Sequence, residues 1–265
     1  MKAIILAAGQ GKRLRPLTDN IPKCMVEFQG KSLLAWQIDT MKKCGIKDIV
    51  VVTGYKSEAI NFPKIKYYKN ENFETTNMVE TLFCAEDEIT ESVIVSYGDI
   101  IYQKDVLSSL IKDPNDISIV VDKQWRRYWE TRFDDLLSDA ESLKIEQNGN
   151  ISSIGQKVDH IEEIEGQYIG LMKFQKGGSD YIKNFYHKTK KSAQDGDNPL
   201  NSSIPFIESY MTDFLQGAIN DGAVLRPVYI KNGWLEIDSV KDFETYNEMY
   251  KNKSLEQLIL MEQVG

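Results

Sequence analysis

The 265-residue chain carries 32 Lys and Arg against 40 Asp and Glu, a formal net charge of -8, with 42% hydrophobic and 27% charged residues. These are proportions of an ordinary globular chain, long enough for a buried core and one or two domains. The acidic balance excludes a general nucleic-acid binder, which needs a basic face, and three cysteines without a C-x-x-C pair exclude a disulfide framework or cysteine zinc site.

The apolar stretch Ala3–Ala8 is too short for a signal-peptide core or a bilayer span, so a cytoplasmic protein without membrane attachment is expected. Lys2–Ala7, an apolar run ending at glycines, predicts a buried parallel strand. Ser32 is placed to cap a helix that puts Leu34, Ile38 and Met41 on one face and stops at Gly45. Ile49–Thr53 and Lys66–Tyr68 predict strands, and Asn77–Glu88 a helix burying Val79, Leu82 and Phe83. Val93–Tyr97 predicts a strand, Val106, Leu107, Leu110 and Ile111 a helix face, and Ile117–Val121 a further strand. Strands separated by helices need crossovers, hence a mainly parallel sheet covered on both faces.

From Trp125 the pattern changes. Trp125–Ser138 is aromatic and charged with no clean period. Leu143–Ile154 alternates on either side of Asn148-Gly149, a strong hairpin signal. Tyr168–Phe174 predicts a strand, Tyr181–Lys190 and Ile204–Ile219 helices, Val224–Ile230 and Trp234–Ile237 strands, and Val240–Tyr250 a last helix. With no repeat or linker, the expectation is one α/β domain over 1–265, with a hairpin region inserted into a mixed, mainly parallel sheet.

The first strand runs into Ala7-Ala8-Gly9-Gln10-Gly11, small residues where a ligand can approach the backbone, followed by Lys12 and Arg13. Around Lys12, Arg13, Arg15 and Lys23 the only acidic residue is Asp19, so an acidic chain holds one basic segment suited to an anion. A dinucleotide loop needs a third glycine where Leu14 stands, and no acidic residue closes the second strand. A P-loop needs a correctly spaced glycine-lysine pair, which is absent. A tight turn without ligand stays open on the glycines alone.

The full segment Leu6–Thr18, LAAGQGKRLRPLT, followed by Pro22-Lys23, resembles the signature of sugar-nucleotide and related nucleotidyltransferases. The resemblance implies a Rossmann-like, three-layer fold in which Leu6, Ala7, Ala8, Gly9, Gly11 and Lys12 lie over a nucleotide. It also implies that Arg13 meets the β- and γ-phosphates and Lys23 the reacting phosphoryl oxygens, these two forming the catalytic pair.

Two carboxylates end strands. Gly98-Asp99 follows Val93–Tyr97, where a parallel sheet opens its ligand crevice, and Asp238 stands before the last helix with Glu236 on the same side of its strand. Asp99 as a plain turn residue and Asp238 as a helix N-terminal carboxylate stay open. The resemblance implies that Asp99 and Asp238 hold Mg²⁺, which takes one or two carboxylates plus phosphate and water. The acceptor phosphate would then attack the α-phosphorus in line and release pyrophosphate. A phosphate monoester, with its second pKa near ~6, needs no general base at neutral pH.

Asn77 can read a base edge or cap the following helix. The N-M-V stretch after Thr76 and the E-I-D-S-V-K-D ending resemble the CTP-using branch more than the glucose-1-phosphate branch. Trp125, Arg126, Tyr128, Trp129 and Arg132, with Glu236, are the candidate acceptor contacts, aromatics suiting an ammonium group and arginines a carboxylate or phosphate. An amphipathic helix with solvated arginines is the other reading, and Asp139 and Glu141 either pair with these arginines or bind an amine. Asp122–Leu143 and Gly166–Leu171 resemble cytidylyltransferases acting on phosphorylated amines. Those acting on phosphoglutamine in capsule assembly stand nearest, and the phosphocholine and 2-aminoethylphosphonate enzymes beside them. The expected partners are therefore CTP and a small phosphorylated acceptor. A nucleotide-sensing module is the non-enzyme alternative, and would be expected to have lost Arg13, Lys23, Asp99 or Asp238.

Overall fold

The computed structural model describes residues 1–261. β1 (Lys2–Ala7) leads into a glycine loop, a 3-10 turn at Lys12–Leu14 and a second at Lys23–Met25. A small hairpin, β2 (Glu27–Phe28) and β3 (Lys31–Ser32), delivers the chain to α1 (Leu33–Lys43). The Ser32 hydroxyl accepts the Ala35 N–H at 3.2 Å, the cap expected of it, and Gly45 follows the helix with φ +85°.

β4 (Asp48–Thr53) and β5 (Lys66–Lys69) come next, then α2 (Met78–Phe83), β6 (Ser92–Tyr97), β7 (Ile100–Tyr102), α3 (Lys104–Lys112) and β8 (Ile117–Asp122). α2 is shorter than expected, because the chain leaves it at Cys84 and finishes in a separate 3-10 turn at Glu86–Glu88. The second half holds α4 (Trp125–Arg132), the hairpin β9 (Leu143–Ile145) and β10 (Ile151–Ile154), β11 (Gln167–Gln175) and α5 (Gly177–Ser192). It ends with α6 (Met211–Asn220), β12 (Arg226–Ile230), β13 (Trp234–Glu236) and α7 (Val240–Lys251).

α6 begins seven residues later than the pattern suggests. Asp213 reaches back to accept the Tyr210 N–H at 2.8 Å and fixes the helix start there, while 206–208 forms a 3-10 turn after Pro205. α4 is the amphipathic helix that the second reading of this segment allowed, although no clean period marks it in the sequence. Trp125, Tyr128, Trp129 and Arg132 form its buried stripe, and the arginine breaks the apolar signal at the last position.

One seven-stranded sheet orders its strands β12-β8-β11-β6-β1-β4-β5. β11 runs antiparallel to both neighbours and the remaining pairs are parallel, giving the expected mixed sheet. Alternate residues of β1 feed two apolar layers. Ala3 and Ile5 pack under α1, α3, α4 and α7, whereas Ile4 and Leu6 pack under α2, α5 and α6. Truncating Ile4 or Ile5, each fully buried, would cost about 2–5 kcal/mol. β1 lies between β4 and β6, so the chain leaves it toward opposite sides and a crevice opens beyond its C-terminal end.

Candidate active site

That crevice is lined by Leu6, Ala7, Ala8 and Gly9 from the first loop, Asn77 from the start of α2, Gly98 and Asp99 after β6, and Lys23. Gly98 lets the β6–β7 turn cross the end of β1, since a Cβ there would meet the Leu6 carbonyl oxygen at 2.6 Å. Gly9 faces open space. Gly11 has φ +64° and sits against Lys23 and Thr18, whose hydroxyl donates to the Gly11 carbonyl at 2.7 Å. Gly11 therefore shapes the loop from behind, and Lys12 points to solvent at the edge of the 3-10 turn. Neither lines the crevice.

Asn77 caps α2 through its carbonyl oxygen, which accepts the Met78 N–H at 2.9 Å, and donates to the Glu208 carbonyl at 3.3 Å. It thus fixes the helix start while facing the crevice. Cys24, Phe73, Thr76, Thr81 and Tyr97 also line the cavity and carried no motif in the sequence. Being near strand ends and element starts is the only signal that points to them.

Residues 13, 23, 99 and 238 converge at the crevice mouth. The Lys23 ammonium donates to Asp99 Oδ2 at 2.5 Å and to Asp238 Oδ1, and the Arg13 guanidinium pairs with Asp238 Oδ2. Burial works against charge on Lys23, yet Asp99 and Asp238 hold its ammonium above the ordinary lysine range. Burial likewise opposes ionisation of Asp238, and Lys23 and Arg13 outweigh it and keep the carboxyl below its usual range. Asp99 Oδ1 is buried without a hydrogen-bond partner.

The capping of α7 falls to the neighbours of Asp238. Ser239 Oγ accepts the Asp242 N–H at 3.1 Å, and Asp242 Oδ2 accepts the Ser239 N–H at 2.9 Å. This leaves the Asp238 carboxylate to the crevice. The Ile237 N–H donates to the Asp99 carbonyl at 3.1 Å and ties the two aspartate-bearing turns together.

A second cavity shares Tyr97 and Met78 with the first. Trp129, Tyr168, Tyr210 and Trp234 give it aromatic walls, and Asp139, Glu141 and Glu236 give it carboxylates. Its floor depends on a bulge in β11 between Tyr168 and Met172, where Gly170 adopts φ +80° against the Tyr97 ring. Glu141 opens into the cavity but is enclosed by protein, which, with Asp139 nearby, pushes its carboxyl up to about 7. Burial also raises Glu236, despite a 2.6 Å hydrogen bond from Arg132.

Of the six residues expected to touch an acceptor, Trp129 and Glu236 line this cavity. The structure corrects the placement of the other four, because the helical period of α4 separates them. Trp125 is buried beside Trp129, and Tyr128 is buried against Trp234 and Tyr246, its hydroxyl accepting the Glu236 N–H at 2.7 Å. Arg126 lies on the exposed face, and Arg132 is buried behind Glu236. Tyr168, Tyr210 and Trp234 were not anticipated as cavity residues, and only the resemblance carried by Gly166–Leu171 pointed toward β11.

Among the described residues no helix is long and apolar enough to cross a membrane, and no cluster of three or more His, Cys, Asp or Glu could hold a metal. Residues 3–161 match the family model of the MobA-like NTP transferase domain. A CTP:phosphoglutamine cytidylyltransferase of Campylobacter jejuni is 39% identical over 259 residues, covering 94% of this chain and 100% of that protein. A choline-phosphate cytidylyltransferase of Streptococcus pneumoniae is 25% identical over 96% of this chain and 100% of its own length. The solved structure of the CTP:phosphocholine cytidylyltransferase from Streptococcus pneumoniae matches with a TM-score of 0.71 at 22% identity, covering 94% of this chain and 98% of that one. With the crevice over β1 and a matched segment spanning more than half its length, the chain belongs to the MobA-like NTP transferase family.

Proposed function

We propose that the protein transfers CMP from CTP to a small phosphorylated amine or amino acid and releases pyrophosphate, with phosphorylated glutamine as the leading acceptor. One observation carries this reading: Arg13, Lys23, Asp99 and Asp238 meet at the mouth of the β1 crevice, beside a second cavity walled by aromatic rings and carboxylates. The near full-length likeness to a protein named for CTP and phosphoglutamine supports the choice of both substrates. Phosphocholine, phosphoethanolamine and 2-aminoethylphosphonate are the neighbouring acceptors. All four charged residues are present, which favours turnover over nucleotide sensing.

In this reading residues 1–122 seat the nucleotide and 123–265 present the acceptor, the whole chain acting as one domain. The base enters against Asn77, and the triphosphate runs along Ala8–Gly9 toward Arg13 and Lys23. These two cations offset the charge gathering on the phosphoryl oxygens as the acceptor phosphate attacks the α-phosphorus. The acceptor's ammonium end lies among Trp129, Tyr168 and Trp234 with Glu141 as its counter-charge. No side chain is needed as a general base, because the attacking phosphate is already dianionic.

Asp99 and Asp238 fit Mg²⁺, being hard oxygen donors of which Asp99 Oδ1 is buried and still unpartnered. When bound, Mg²⁺ supplies further neutralisation of the phosphoryl oxygens. The three cysteines are free, as the reducing cytoplasm would keep them, and we place the reaction there.

The test is pyrophosphate release measured with each NTP, Mg²⁺ and a panel of phosphorylated amines and sugar 1-phosphates. CTP with an amine phosphate should give the highest kcat/KM. A preference for UTP with a sugar 1-phosphate would overturn the assignment. Asp99→Ala and Asp238→Ala should each remove turnover in a folded protein, and near-normal turnover in both would overturn the metal assignment.

A further inference from the structure

Arg132 was expected to touch the acceptor, and its position gives it a different task. Its side chain is only 2% exposed, and the guanidinium is caged by Tyr128, Trp129 and Phe133, with ring centroids at 5.6, 5.5 and 4.9 Å. Its donors divide between two carboxylates. Nη1 bonds Glu236 Oε2 at 2.6 Å, on the wall of the acceptor cavity. Nε and Nη2 bond Asp242 Oδ1 and Oδ2 at 3.1 and 3.4 Å. Asp242 Oδ2 in turn accepts the backbone N–H groups of Asp238 and Ser239 at 3.2 and 2.9 Å.

We propose that Arg132 is a positioning residue that joins the acceptor cavity to the crevice carboxylates, holding Glu236 toward the acceptor and, through Asp242, fixing the backbone that carries Asp238. The inference rests on the acceptor and metal assignments made above. A guanidinium suits this place because its planar fork serves two carboxylates at once. A lysine is a single point of charge and cannot span both. Desolvating such a group is costly, so a buried arginine with two carboxylates contributes little net stability compared with an apolar replacement. Its value lies in geometry. The aromatic cage helps by restricting the side chain to one pose.

The two arms can be separated experimentally. Mn²⁺ affinity, followed by electron paramagnetic resonance without nucleotide or acceptor, reports the Asp238 arm. The KM for acceptor against the KM for CTP reports the Glu236 arm. Asp242→Asn should weaken Mn²⁺ binding by about tenfold or more, the usual effect of removing a partner that orients a ligand, and leave the acceptor KM near that of the wild type. Glu236→Gln should raise the acceptor KM and leave Mn²⁺ affinity within about twofold. Arg132→Lys should do both while the KM for CTP changes little.

Guanidinium ion added to Arg132→Ala should recover part of each loss. Where that variant fails to fold, Asp242→Asn and Glu236→Gln still decide the question. If all of the variants that fold change only Tm, with Mn²⁺ affinity and acceptor KM unmoved, the positioning role is wrong. If Mn²⁺ affinity responds and no acceptor is turned over by the wild type, the connection to Asp238 stands and the acceptor assignment fails instead.

Discussion

Replacing Lys23 by methionine tests the charge cluster most fully. The side chains of Lys23, Asp99 and Asp238 are 12%, 14% and 11% exposed, so solvent can do little to screen the two carboxylates once the ammonium is gone. Removing one partner from a buried ion pair typically costs about 3–5 kcal/mol. Arg13 remains on Asp238, but its side chain is 67% exposed and Asp99 keeps no cation, which places the expected loss near ~3 kcal/mol. At roughly 2–4 °C per kcal/mol for a chain of this size, Tm should fall by about 6–12 °C.

The sign with pH is defined. Lys23 has a raised pKa, so its contribution is complete below the ordinary lysine value of 10.5 and is lost only as pH rises through the higher folded-state value. Asp238 has a lowered pKa, so its share is present above the ordinary 3.8 and is lost as pH falls through the lower one. The full deficit should therefore appear at pH 7. A divalent cation at about 100 times its Kd adds roughly 2.7 kcal/mol to the folded state, enough to return most of the loss. In the wild type Lys23 competes for the same oxygens, so Mg²⁺ alone should raise Tm less than in Lys23→Met. Turnover should fall by about 10²–10³-fold, as when one preorganised donor to a developing charge is lost. Calorimetry with and without Mg²⁺ measures the first two effects. A variant as stable as the wild type, and equally insensitive to Mg²⁺, would refute the reasoning.

The other predictions concern separate parts of the molecule. With the Glu141 carboxyl pushed up to about 7, the ionised form rises about tenfold between pH 6 and 8, and the acceptor KM should fall by a similar factor. Glu141→Gln should flatten that profile, and an unchanged profile would remove Glu141 from acceptor binding. Glu88 is held down to about 2 by hydrogen bonds from Lys2 and Lys66, so its contribution is present above the ordinary 4.5 and is lost as pH falls toward 2. Glu88→Gln should cost about 2–3 kcal/mol at pH 7, and the gap to the wild type should narrow in acid denaturation below pH ~4. Gly98→Ala forces a Cβ against the Leu6 carbonyl and should cost about 1–3 kcal/mol while lowering kcat, because the displaced turn carries Asp99. Normal kcat in that variant would mean that the turn has slack.

The crevice over β1 was legible in the sequence because its determinants are contiguous or lie at strand ends. Leu6–Thr18 is one continuous segment, Lys23 follows closely, and Asp99 sits where an apolar run stops. The Gly11 role and the outward Lys12 were not legible, since a motif does not say which residue faces the ligand and which shapes the loop. The second cavity resisted reading for a different reason. It combines a helix face, the 139–141 segment, a bulged strand and the start of α6, none of them adjacent in sequence. α4 was further masked by Arg132, a charge standing in the buried stripe with the aromatics, while Arg126, which looked like part of the same cluster, points to the opposite side of the helix. The mixed sheet was visible in the alternation of strands and helices, but the antiparallel entry of β11 required the hairpin insertion to be seen in place.

The central claim is transfer of CMP to a phosphate carried by an amine, and ³¹P nuclear magnetic resonance of the complete reaction tests it most directly. With CTP, Mg²⁺ and phosphorylated glutamine or phosphocholine, the account predicts a new diphosphate-linked product accumulating in equal amount with pyrophosphate. CTP consumed to orthophosphate, pyrophosphate formed without acceptor dependence, or a product obtained only with a sugar 1-phosphate would contradict it.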